Sequence, residues 1–163
     1  MKMGLDLYIE TEKYYLHKTT GVFIRENGAN KELKTIEEVK AYFKGFDISH
    51  IKEYEYMDNI VWKRHITHNL TEMADHVRID NTTLYLLLWR PIESGYSFVT
   101  KEYVYYLNEC LELLIYDKDE LVKYNPENGF GNYNTLLDFV KSLVDCLNGI
   151  DVEKEKCIIH CSV

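Results

Sequence analysis

Three stretches of this 163-residue chain carry side chains whose types and spacing could do chemistry. The first runs from His65 to His76. Read as a helix, it places His65, His68, Glu72 and His76 in one stripe, because steps of three and four residues return to the same side at about 100° per residue. Imidazoles and a carboxylate so placed could hold a metal ion. The order is not the His-Glu-x-x-His of a zinc protease, however, and a third ligand would have to come from elsewhere. The preferred reading is a polar rim that orients a ligand, with Asn69 beside it, and no metal or other cofactor is implied. His65 or His68 as a general base is the enzymatic alternative.

The second stretch is Leu88-Trp89-Arg90-Pro91-Ile92-Glu93-Ser94-Gly95. An arginine just past a helix end can offer its guanidinium to a carboxylate or phosphate, with the Trp89 indole as a stacking wall. The competing reading is an internal ion pair to Glu93 with Trp89 in the core. The third is Asn125-Pro126-Glu127-Asn128-Gly129-Phe130-Gly131-Asn132-Tyr133, a Gly-rich turn leading into a helix. Amides there, with the helix dipole, could receive an anion, although the third glycine of a dinucleotide fingerprint and the lysine of a P-loop are both missing. Its structural alternative is a helix-entry turn with Phe130 as a packed plug and Asn132 or Asn134 as the cap. No nucleophile elbow and no carboxylate pair stands out, and Cys157 and Cys161 share a strand face from which His160 points away.

The elements that must position these groups follow from periodicity. Leu5, Leu7 and Ile9 alternate with polar residues, which predicts a first strand. Tyr14–Lys18 and Val22–Arg25 predict a hairpin about Gly21, and 26–34 a polar loop. Thr35 and Glu38 fit a capping box opening a short helix with Val39, Tyr42 and Phe43 inward and an end near Gly45. Ile48–Met57 is a second strand candidate. From Asn59 the spacing of Trp62, Ile66, Leu70, Met73 and Val77 predicts a helix of about 18 residues. Leu84–Trp89, the segment around Tyr103, Leu107, Cys110 and Leu114, and that around Leu136, Val140, Leu143 and Leu147 predict three more, the last ending at Asn148-Gly149. Cys157, Ile159, Cys161 and Val163 alternate as a terminal strand. The expectation is one α+β domain over 1–163: 1–58 β-rich with one short helix, 59–150 helical and 156–163 a strand. A small, mostly antiparallel sheet from the N-terminal and C-terminal strands would pack with four to five helices.

Charge narrows the partners. With 27 acidic residues against 19 basic, the net charge of −8 opposes a nucleic-acid polymer. Fourteen of the 22 aromatic residues are tyrosine, several of them (Tyr8, Tyr14, Tyr54, Tyr56, Tyr103, Tyr105, Tyr106) at positions that alternate outward, which favours recognition of a protein. No apolar run reaches the length of a signal peptide or membrane span, and the four cysteines include no C-x-x-C pair, so a cytoplasmic protein with free thiols and no membrane contact is expected.

Ile66-Thr67-His68-Asn69-Leu70 with Met73-Ala74, Leu88-Trp89-Arg90-Pro91 with Gly95, and Asn125-Pro126-Glu127-Asn128-Gly129-Phe130-Gly131-Asn132-Tyr133, together with Phe139-Val140 and Cys146, resemble a family of small uncharacterised bacterial and phage proteins. The likeness covers residues 59–163 in order. The chain differs at Phe130, where the family pattern has Trp, and at its end, where His160-Cys161-Ser162-Val163 stands in place of Val-Ser-Arg. The resemblance implies shared architecture and a phage or mobile-element setting, and it transfers no reaction. Together these readings predict a non-catalytic protein in which His68, Asn69, Arg90, Asn128, Gly129, Gly131 and Tyr133, with His65 and Trp89, converge on a pocket for a small anionic, nucleotide-like ligand, for instance in counter-defence. The alternative is an acidic inhibitor that binds a host protein through a Tyr-rich surface. A dimer in which the terminal strand extends a sheet across a two-fold axis is compatible with either.

Overall fold

Leu5, Leu7 and Ile9 are fully buried while Asp6, Tyr8 and Glu10 between them are partly exposed, the alternation of a strand with one face on a core. Each such buried aliphatic contributes about 1.5–3 kcal/mol. The computed structural model of the chain describes residues 4–26, 29–93 and 95–162. Val163 of the expected terminal strand and Ser94 of the arginine turn lie outside them, as do residues 27 and 28 of the expected loop.

The strand β1 is longer than its alternation suggested, Leu5–Thr19. β2 (Val22–Glu26) and β3 (Ala29–Leu33) follow, then α1 (Ile36–Tyr42) and β4 (Tyr54–Ile66). After a 3-10 turn at His68–Leu70 come α2 (Thr71–Asp75), the short strands β5 (Arg78–Ile79) and β6 (Thr82–Thr83), and α3 (Leu84–Trp89). The remainder is β7 (Tyr96–Phe98), α4 (Lys101–Tyr116), α5 (Lys118–Leu121), a 3-10 turn at Val122–Tyr124, α6 (Tyr133–Asn148) and β8 (Cys157–Ser162). The α+β architecture is as expected, with a four-stranded antiparallel sheet in the order β4-β1-β8-β7. Leu107 and Leu114 of α4 and Leu136, Val140 and Leu143 of α6 share its core with the inward residues of β1 and β8.

Three local expectations are corrected. The helix expected from Asn59 is instead the second half of β4, followed by a 3-10 turn and the five-residue α2. Trp62 stands opposite Ile9 and stacks edge-on against Phe139, so its packing partner is α6 on the helix-covered face of the sheet. Residues 59–150 are therefore less uniformly helical than predicted. The expected hairpin of 14–18 with 22–25 does not form: β1 continues against β4, and β2 pairs instead with β3, a segment read as loop. The terminal strand pairs on both sides, with β1 and with β7, so along its length it has no edge left to extend a sheet into another copy.

The α1 cap behaves as expected with one shift. The Thr35 hydroxyl accepts the Glu38 amide, while the Glu38 carboxylate accepts the amide of Lys34, one residue earlier than the standard box. Val39 is buried, but Tyr42 is exposed rather than inward.

Pairing of β1 with β8 stops at Thr11. Beyond a register break between Glu10 and Tyr15, β1 and β4 continue alone as a two-stranded ribbon in which Tyr15–Thr19 face Asp58–Tyr54. This ribbon leads to a second, smaller core built from Ile24, Leu33 and Val39 with Val22, Phe43, Ile48 and Ile51. The protein is thus a helix-backed sheet with an arm, residues 12–58.

Candidate functional site

Two of the three sequence segments meet. Thr67, in extended conformation, caps the 3-10 turn by accepting the Asn69 amide. The Asn69 side-chain amide then donates to the Phe130 carbonyl at 3.3 Å and the Asn128 carboxamide oxygen at 3.4 Å. Gly131, at φ +88°, lies directly against Thr67 and Leu70. The Gly-rich turn is thereby locked to the turn that carries His68.

The amides of Gly129, Phe130, Asn132 and Tyr133 are engaged within the turn. Gly129 donates to the Pro126 carbonyl and Phe130 to the Asn128 side chain. Asn132 and Thr135 form the capping box of α6, with each side chain accepting the other's amide, and Asn125 accepts the Tyr133 amide at 2.8 Å. The Tyr133 ring is buried, and its hydroxyl donates to the Leu114 carbonyl at 2.6 Å, so Tyr133 ties α6 to the end of α4. Phe130 is exposed, not a plug. The turn is built chiefly as a helix entry.

The arginine segment lies beside the same turn through rings. His68 is 6.3 Å from Trp89, centroid to centroid, Trp89 stacks on Tyr85 at 5.8 Å, and the Arg90 guanidinium lies over Tyr85 at 5.7 Å. Pro91 excludes a helical conformation at Arg90, which closes α3 with φ −127° and ψ 29°. Arg90 donates to the Tyr85 hydroxyl and to Glu93 at 3.0 Å, and these two acceptors hold its guanidinium charged. Ile92 and Glu93 both have positive φ, which bends Glu93 back to its arginine. Trp89 is buried with its indole N–H unpartnered.

His65 belongs elsewhere. It pairs with Asp6 at 3.0 Å on the face of the sheet away from the helices, its ring filling the space that a β-carbon on Gly4 would need. With β4 in place of a helix, His65, His68, Glu72 and His76 do not share a stripe. Among the described residues no group of three or more His, Cys, Asp and Glu side chains is placed to hold a metal. All four cysteines are free thiols. Burial pushes Cys110 and Cys157 up to about 12 and Cys146 and Cys161 up to about 11, which leaves each of them protonated at neutral pH.

No protein-family model matches the chain, and no curated protein or solved structure matches it. Among the described residues no helix is long and apolar enough to cross a membrane.

The arm supplies what the three segments do not. On one face of its ribbon Tyr15, Tyr54 and Tyr56 are exposed around His17, which stacks on Tyr56 and pairs with Asp58 at 2.8 Å. On the other, Leu16 stands directly opposite Met57, and the two are 59% and 63% exposed. Residues 12–58 hold nine acidic and eight basic side chains, so nearly all of the net −8 belongs to the rest of the chain. Leu16 and Met57 were missed in the sequence, although lone aliphatics amid charged and aromatic neighbours are the available signal.

Proposed function

We propose that the chain is a non-catalytic protein-binding module that meets its partner through the tyrosine face of the arm. One observation carries this reading: among the described residues seven of the twelve large exposed aromatic side chains lie on the nearly neutral arm, three of them on one face of its ribbon, while the acidic excess lies elsewhere. Tyrosines offer rigid contact area with a polar tip at low entropic cost, and a contiguous exposed apolar patch is the usual mark of an interaction surface. The resemblance noted above suggests a phage or mobile-element inhibitor of a host protein as the setting. The test is capture from host lysate. A partner retained by the wild type and by Arg90→Ala, but lost with Tyr15→Ala/Tyr54→Ala, supports the proposal. A partner that binds the arm variant equally well overturns it.

A second reading keeps the small anionic ligand, favoured by the junction of His68, Asn69, Asn128 and Gly131 and by the unpartnered Trp89 N–H. A nucleotide at 100 times its dissociation constant would then stabilise the fold by about 2.7 kcal/mol. Thermal melts with a nucleotide panel separate the two.

A further inference from the structure

The second face of the ribbon is self-complementary. Next to the exposed pair Leu16 and Met57, the following cross-strand pair on the same side is Lys18 with Glu55. A two-fold axis running along the ribbon exchanges its two strands. Facing ribbons would then seat each Leu16 on the other copy's Met57, and each Lys18 on the other copy's Glu55. The overlap places opposite charges together at both ends of the operation. Elsewhere two copies meet as acidic bodies, because the arm alone is close to neutral. We propose that two copies of this chain associate face to face through Leu16 and Met57, with Lys18 and Glu55 exchanged between them. The contact leaves Tyr15, Tyr54 and Tyr56 on the opposite faces, so the dimer would display the tyrosine surface twice.

The proposal shares the arm with the function proposed above but not the same residues, and the two fail separately. Two ribbon faces bury less than the roughly 800 Å² per partner of a standard interface, so the association is expected to be weak. Light scattering over a concentration series should show the mass rising from 19.4 kDa toward twice that value. Leu16→Glu should hold it at one chain at every concentration. Lys18→Glu and Glu55→Lys should each raise the dissociation constant on the order of five- to tenfold, and the double exchange Lys18→Glu/Glu55→Lys should restore it. Unchanged melting temperatures would show that these exposed substitutions leave the fold intact. A wild type that stays monomeric to millimolar concentration overturns the proposal, as does a dimer indifferent to Leu16→Glu or to the charge exchange.

Discussion

Gly131 sits so close to Thr67 that a β-carbon at position 131 would stand 2.9 Å from the Thr67 methyl and 3.3 Å from Leu70 Cδ1. The positive φ of Gly131 and this approach act together. Gly131→Ala should therefore cost about 1–3 kcal/mol, read in denaturant unfolding. Gly129, also at positive φ but with open space around it, provides the comparison, since Gly129→Ala meets only the backbone cost of about 1 kcal/mol. Equal losses at the two positions would show that the Gly131 contact contributes nothing.

The Tyr133 hydroxyl should matter more than its ring position suggests. Tyr133→Phe keeps the buried ring and leaves the Leu114 carbonyl without its donor. A loss of about 1–3 kcal/mol is expected. Tyr103→Phe repeats the experiment where α4 meets α3, because the Tyr103 hydroxyl donates to the Leu87 carbonyl at 2.6 Å.

Alkaline pH should unfold the protein. Burial raises all four thiols above their ordinary value of 9.0 and pushes the Tyr103 phenol up as well. The folded state thus holds protons that the unfolded chain releases. The resulting stability is fully present below about pH 9 and is lost as pH climbs through 11 to 12. Melting temperatures should fall across that window. At pH 7–8 a thiol reagent should modify the buried Cys110 and Cys157 of the native protein only at the rate of unfolding, and fast labelling of either would refute the burial argument.

Ile92 is strained, being β-branched and exposed at φ 43°. Asparagine tolerates that region far better. Ile92→Asn should raise stability by about 1 kcal/mol, or about 2–4 °C in Tm for a chain of this size.

The parts of the fold readable in the sequence are those with a single possible period. β8, α4 and α6 each repeat their apolar residues over enough turns or alternations to exclude the other element. β4 was not readable for a specific reason. Trp62 and Ile66 are four residues apart, a spacing that returns to the same side in a helix and in a strand alike. Leu70, Met73 and Val77 then lengthened the apparent stripe although they belong to the next turns. β3 looked like a loop because only Leu33 of its five residues is a large apolar. At the candidate site, the sequence offers the ion pair of Arg90 with Glu93 only as the competing reading, and it joins Asn69 with Asn128 as lining of a ligand pocket rather than as a hydrogen-bonded pair. The partner of Tyr133 was not legible, because it is a backbone carbonyl 19 residues away with no sequence signature.

The two sheet neighbours of β1 are made at different times, β4 well before β8. Asp6 pairs with Ser162, 156 residues later. While the ribosome is still making the residues that follow β4, β1 and β4 can zip together, but the β1 edge awaiting β8 stays open along Asp6–Thr11. The core face of that sheet is covered only after α6 has emerged. A nascent chain therefore carries an unpaired strand edge beside Leu7 and Ile9 until β8 has been made. The native sheet closes only when β8 arrives.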